Sequence, residues 1–245
     1  MIIAKVILPE GARADSYHLS VNKRSYDFMG NTKEIYLDAE RSDILCYNND
    51  GETVVIDGNR YATTHLRYDS DGISYEPSPF YKQALRGYAD VAIDTLELPL
   101  QAMTKSYRII TTLTNNDKDN RITGCSEIIV GGMVQGIDLW TDGCYGRTAH
   151  LLKPTMTDSI ITANLRTWGR VDGHQTVNYL FRQKNKTCRY AVDISEQIAR
   201  LPNGGNIYVS IDVANKIKDI PSDEGTGGFE VGTEDWHNEN TTIDV

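Results

Sequence analysis

The residue types that could do chemistry are present but scattered. His18, His65, His150, His174 and His237 stand apart from one another, whereas a zinc or iron site takes His, Cys or carboxylate ligands at short fixed offsets. No resident metal or cofactor is expected. Asp117 and Asp119, beside Asn115 and Asn120, offer oxygens to a hard cation. Yet Arg121 stands at a ligand position, and no glycine follows where an EF-hand loop must bend. These residues read as a polar hairpin tip, as do Asp69 and Asp71 ahead of Gly72. The nucleophile elbow G-x-S-x-G is missing, and so are the G-x-G-x-x-G and Walker phosphate loops. A carboxylate pair for glycoside hydrolysis is a minor alternative, because such a pair forms in space rather than in sequence. No catalytic residue is assigned and no enzymatic activity is expected.

Cys46, Cys125, Cys144 and Cys188 form no C-x-x-C pair, so zinc-finger and thioredoxin spacings are absent. Two disulfides would allow three connectivities, with Cys125 and Cys144, which flank one hairpin-like unit, the first pair to test. The simpler expectation is free cysteines acting as small apolar residues within strands, as in Ile44-Leu45-Cys46-Tyr47 and Thr187-Cys188-Arg189-Tyr190. Tyrosine is the abundant aromatic, at 14 against 4 Phe and 3 Trp. Its apolar ring and polar tip suit half-exposed strands and recognition surfaces. Tyr61, Tyr68, Tyr75, Tyr81 and Tyr88 are candidates for saccharide or protein recognition, with ordinary strand tyrosines the stronger reading. Trp140, Trp168 and Trp236 are expected as core or rim anchors.

The 245 residues carry 25 Lys+Arg against 34 Asp+Glu, a net charge of −9. Such a chain offers no basic field to phosphates, which argues against nucleic acid or an anionic membrane surface as partner. Apolar runs such as Ile2–Ala4 and Ile128–Val130 fall far short of the roughly 20 residues that cross a bilayer. The segment Met1–Pro9 lacks the apolar core of a signal peptide, so either the protein is cytosolic or a leader has been removed.

What must position these residues is a series of strands. Apolar and polar residues alternate much more often than they recur at helical spacing. In 207–213, Ile207, Val209, Ile211 and Val213 point inward while Tyr208, Ser210 and Asp212 meet water. Likewise Ile161, Ala163 and Leu165 face in, with Thr162, Asn164 and Arg166 out. Further strands are expected at 54–56, 94–100, 107–113, 127–130, 135–140, 176–182 and 189–194. Turn residues separate them at 48–51, 69–72, 115–120, 172–173 and 203–205. The pairs Gly131-Gly132 and Gly227-Gly228 lie among strands, where glycine marks a bulge or close backbone approach. Two short helices are expected, one at 195–201 capped by Asp193 or Ser195 and stopped by Pro202, the other at 79–87 between Pro79 and Gly87. The Pro-rich stretch Tyr75–Pro79 places a domain boundary near residue 90. The fold expected is therefore all-β, with two antiparallel β-sandwich domains in tandem, 1–90 and 91–245.

Several patterns occur in an order that resembles one family. The strand-to-turn segment Ile44–Asp50 is followed by Leu98-Pro99-Leu100 before Ser106-Tyr107-Arg108. Then come Gly131-Gly132-Met133, Thr167-Trp168-Gly169, Val192–Ile198, and Gly227-Gly228-Phe229 with Asp235-Trp236. Together they resemble the fimbrillin-like lipoproteins of the Bacteroidetes, related to type V pilus subunits and their anchors, a branch known as a domain of unknown function. The resemblance implies transthyretin-like sandwiches, export, and a lipid anchor at the outer membrane carried by a longer precursor, the first cysteine here being Cys46. It implies adhesion or pilus assembly as the role, with other pilus subunits or host and bacterial surface ligands as partners. Association would proceed by adding a strand to an open sheet edge; if Ile2–Leu8 is the strand exchanged, its deletion should change assembly. The alternative is a secreted carbohydrate-binding sandwich.

Overall fold

The structure, a computed structural model, describes residues 1–37, 41–67, 72–89, 92–117, 121–183 and 186–217. Alternating burial sets the strands. In β1 (Ile2–Ile7), Ile2, Ala4 and Val6 are buried while Ile3 and Ile7 meet solvent. A hairpin follows, β2 (Ser16–Val21) and β3 (Arg24–Met29), then β4 (Thr32–Ile35), β5 (Ser42–Asn48), β6 (Val54–Asp57), β7 (Tyr61–Thr64) and β8 (Ile73–Ser74). Next are β9 (Tyr81–Tyr88), β10 (Thr95–Pro99), β11 (Gln101–Ala102), β12 (Lys105–Thr114) and the long β13 (Ile122–Asp138). The last strands are β14 (Cys144–Leu152), β15 (Thr155–Thr157), β16 (Ile160–Thr167), β17 (Thr176–Gln183), β18 (Lys186–Asp193) and β19 (Gly204–Asp212). The short helices α1 (Ser195–Ala199) and α2 (Val213–Lys216) sit on either side of β19 in the chain.

The fold is all-β, built as sheets packed in pairs. A three-stranded sheet, β10-β1-β4, shares one core with the five-stranded β11-β9-β5-β2-β3. A four-stranded sheet, β15-β16-β12-β19, shares a larger core with a seven-stranded one, which follows the path β18-β17-β13-β14-β8 and carries β7 and β6 beside β13. Most pairings are antiparallel, but β1–β10, β12–β19 and β14–β8 run parallel. The inward residues expected in β16 and β19 are the buried ones: Ile161, Ala163, Leu165, Ile207, Val209 and Ile211. β13 joins two expected strands through a register shift between Val130 and Met133. Gly132 there has φ +77, and the His174 carbonyl occupies the space where its side chain would start. The bulge expected at this glycine pair is present.

Two expectations are corrected. The segment 79–87 is no helix; β9 occupies it, pairing with β5 on one side and β11 on the other. Lys, Gln, Ala, Leu and Arg favour a helix locally, but both faces of this segment are covered. Tyr81 and Leu85 pack on the first core, while Phe80 and Ala84 belong to a cluster shared with the second half. Tertiary packing therefore overrides propensity. The sheets also do not part at residue 90. β10 pairs back with β1, whereas β6, β7 and β8 join the seven-stranded sheet. The Pro-rich stretch 75–79 is instead the extended path by which the chain returns from one sandwich to the other. β1 is the middle strand of its sheet. Exchanging it would strip Ile2, Ala4 and Val6 from the core.

Helix α1 begins where Asp193 accepts the Ser195 amide at 2.7 Å, and its Ile198 is buried. The Ser195 hydroxyl and amide, together with His174, hold the Asp193 carboxyl down to about 2.

Candidate contact surfaces

The residues singled out for chemistry do not converge. His18 is held by Asp27 at 2.8 Å and His174 by Asp193 at 2.9 Å, one pair on each sandwich. His150 is fully buried between β14 and β8, with the Ser74 hydroxyl 3.3 Å away. Burial pushes its imidazole down to about 4, so it is a neutral structural group closed off from substrate. Asp69, Asp71, Asp119, Tyr68, Trp236, His237 and Gly227-Gly228 lie outside the described residues. Among the described residues no group of three His, Cys, Asp or Glu side chains gathers to hold a metal ion.

All four cysteines are free thiols. Cys144 lies opposite Ile137, at the far end of β13 from Cys125, so the pair marked for a disulfide is separated along one strand. Burial pushes the Cys46 and Cys125 thiols up to about 12, which suppresses the reactive thiolate. Cys46 and Cys188 are buried apolar residues, as expected.

The tyrosines marked for recognition form no common platform either. Tyr61 meets Tyr145 edge-on at 5.0 Å, Tyr75 lies under Arg67, and Tyr81 and Tyr88 pack on the first core. The aromatic continuity lies elsewhere. His18 stacks on Tyr47, Tyr47 meets Phe80, and Phe80 meets Trp168, which carries ring contact from the first sandwich into the second. Beside this chain, the buried Lys82 of β9 donates to the Leu139 carbonyl at 2.7 Å and pairs with Asp142, both in the turn after β13. Trp168 is thus a core anchor between the sandwiches. Trp140 is a rim residue, under Arg86 and donating to the Asn59 carbonyl at 2.9 Å.

Two kinds of surface remain for contact. The first is sheet edges. β3 borders the five-stranded sheet with Arg24, Ser25, Asp27 and Met29 exposed. β18 borders the seven-stranded sheet, and β10, whose last residue is Pro99, borders the three-stranded one. β19 is treated differently. The outward amide and carbonyl of Tyr208 are both taken by the side-chain amide of Gln197 from α1, at 2.9 and 2.8 Å. A glutamine thus stands in for the next strand and covers this edge.

The second surface is the outer face of β15-β16-β12-β19. Register places Asn164, Arg108 and Asn206 in one row across three strands, with Arg166 and Ser106 in the row before. The partners Tyr107 and Leu165 point into the core. Glu76 closes one side by accepting the Arg166 amide at 2.5 Å, leaving a hollow of about 390 Å³. Desolvation raises the Glu76 carboxyl, and the Arg166 amide and charge pull the other way. Sequence reading assigned Asn164 and Arg166 an outward face but not their neighbours, because the row exists only once register is known.

No family model and no curated protein matches the chain. Solved structures do. The chain is similar to a candidate adhesin from Bacteroides ovatus ATCC 8483 at 13% identity, with a TM-score of 0.63, covering 86% of this chain and 92% of that one. It is similar to candidate polysaccharide binding proteins (DUF1812) from Bacteroides thetaiotaomicron VPI-5482 at 11% identity and TM-score 0.59, covering 86% and 90%. It is also similar to the fimbrial anchor protein Mfa2 from Porphyromonas gingivalis at 12% identity and TM-score 0.52, covering 85% and 89%. Over nearly its whole length, then, the chain has the fold of Bacteroidetes adhesin-like and fimbrial-anchor structures, and the resemblance read from its sequence holds at the level of fold.

Proposed function

We propose that this chain is a non-catalytic protein of the bacterial cell surface that works by contact, in adhesion or in the assembly or anchoring of a pilus. The observation that carries the reading is the two-way coverage of adhesin-like and anchor structures, 86% of this chain against 92% of one and 85% against 89% of the other. The scattered titratable groups and the inert buried His150 and thiols support it. On this reading the partners are pilus subunits or surface ligands. The outer membrane is reached through a lipid anchor on a longer precursor. Tandem transthyretin-like sandwiches are the architecture.

A second reading, carbohydrate recognition, is favoured by one feature, the polar row Asn164–Arg108–Asn206 on an exposed sheet face. The test of the main reading displays the whole chain on a non-adherent bacterium and counts cells retained on epithelial monolayers and on pilus-bearing bacteria. Retention above that of cells displaying an unrelated β-sandwich is expected on at least one surface. Retention at the control level on both, or turnover of a panel of glycoside and ester substrates by the purified chain, would overturn it.

A further inference from the structure

The outer face of β15-β16-β12-β19 differs from an ordinary solvated strand surface in three respects. Its central cation is unspent: among the described residues no carboxylate pairs with Arg108. On a chain of net charge −9, two arginines on adjacent strands, Arg108 and Arg166, make a local field of the opposite sign. Among the described residues that line the hollow the one acid is Glu76, and its carboxylate accepts the Arg166 backbone amide.

The flanking groups are matched to an oxygen-rich ligand. Asn164 and Asn206 stand on either side of Arg108 in register, each able to donate and accept. The Asn206 amide donates to the Tyr208 hydroxyl at 3.2 Å. Tyr208 is 62% exposed, yet its backbone is pinned by Gln197 and its hydroxyl by Asn206, so an exposed ring is held in one place. Arg108 lies directly across from Asn206, so Tyr208, two residues further along β19, is its diagonal neighbour on the same face. The floor is rigid, being the back of buried Tyr107 and Leu165.

From this arrangement we propose that the face is a binding site for a carboxylate-bearing saccharide. The guanidinium of Arg108 receives the carboxylate in a two-pronged hydrogen bond. The amides of Asn164 and Asn206 take neighbouring hydroxyls, and the Tyr208 ring lies under the adjoining sugar. A neutral sugar would leave Arg108 uncompensated. A bare anion would leave the ring and the two asparagines unused. The site gives the surface-contact reading above a ligand class and rests on that reading.

The test is calorimetric titration of the whole chain with sialyllactose and with trigalacturonate as acidic probes. Lactose and methyl-esterified trigalacturonate serve as neutral counterparts, and inorganic phosphate as a free anion. Saturable binding of at least one acidic probe is expected, at least tenfold tighter than its neutral counterpart and than phosphate. Arg108→Ala and Tyr208→Ala should each weaken it tenfold or more, and Arg108→Lys, which keeps charge but loses the fork, several-fold. Both arginine variants change an exposed side chain, and far-ultraviolet circular dichroism checks that they fold. Equal binding of acidic and neutral probes, phosphate binding as tight as the saccharide, no binding of either acid, or folded variants that bind like the parent would each overturn the site. If displayed cells adhere and Arg108→Ala leaves that adherence intact, the site fails while the surface role stands. If displayed cells do not adhere at all, it is the surface role that fails.

Discussion

At the scale of single residues, two buried polar groups set measurable properties. His150 is fully buried and its imidazole is depressed to about 4 against an ordinary value near 6.5. The unfolded chain therefore takes up this proton first as pH falls. The contribution to stability is present above about pH 6.5 and is lost as pH drops toward 4, amounting to about 3 kcal/mol over that window. Urea midpoints measured across it should fall more steeply for the parent than for His150→Gln. Parallel slopes would show that the imidazole titrates freely in the folded protein. Lys82 is the second group. Lys82→Met keeps the stem that fills the joint between sandwiches but leaves the Leu139 carbonyl without its donor, while Asp142 stays solvated. A loss of about 1–2 kcal/mol in the same unfolding measurement is expected, and no loss would mean that the joint does not depend on this bond. Neither residue was legible in the sequence as a structural element. A lone histidine in Ala149-His150-Leu151 and a lysine in a helix-favouring run gain their roles only from what packs on them.

At the scale of elements, legibility followed exposure. β12, β16 and β19 each have one face in water, so period-two alternation reports both the strand and its inward side. β14 was not read, because Thr148, Ala149 and His150 are buried in succession and polar residues occupy inward positions. β9 was misread for the related reason that it is covered on both faces. The hairpin β2–β3 turns through Asn22, at φ 53, a residue type that tolerates this conformation but carried no adjacent glycine to announce it. The Gln197 clamp on β19 yields an element-scale prediction. Gln197→Ala should expose the amide and carbonyl of Tyr208 as an open edge, and sedimentation at high protein concentration should reveal self-association that the parent lacks. A variant that sediments as the parent does would show that the clamp protects nothing.

At the scale of the whole molecule, the chain passes from the first sandwich to the second after β5, returns before β9, and leaves again after β11. Strand pairings and the shared Tyr47–Phe80–Trp168 packing bind the halves through these passages. A fragment cut at residue 90 would lose β10 from beside β1 and leave β7 without β13. Such a fragment should be digested by trypsin far faster than the intact chain, and equal resistance would argue for a self-sufficient unit ending there. Composition and alternation revealed the all-β class and the sandwich pairing. They did not reveal the crossings, because the prolines that mark an extended return path are the same residues that mark a domain boundary. The central claim is that this folded scaffold acts by direct contact. It is tested most directly by adding soluble chain to bacteria that display it and counting the cells retained on the surface they adhere to. The account predicts retention that falls with dose to the level of undisplayed cells, and folded soluble chain that leaves retention unchanged would contradict it.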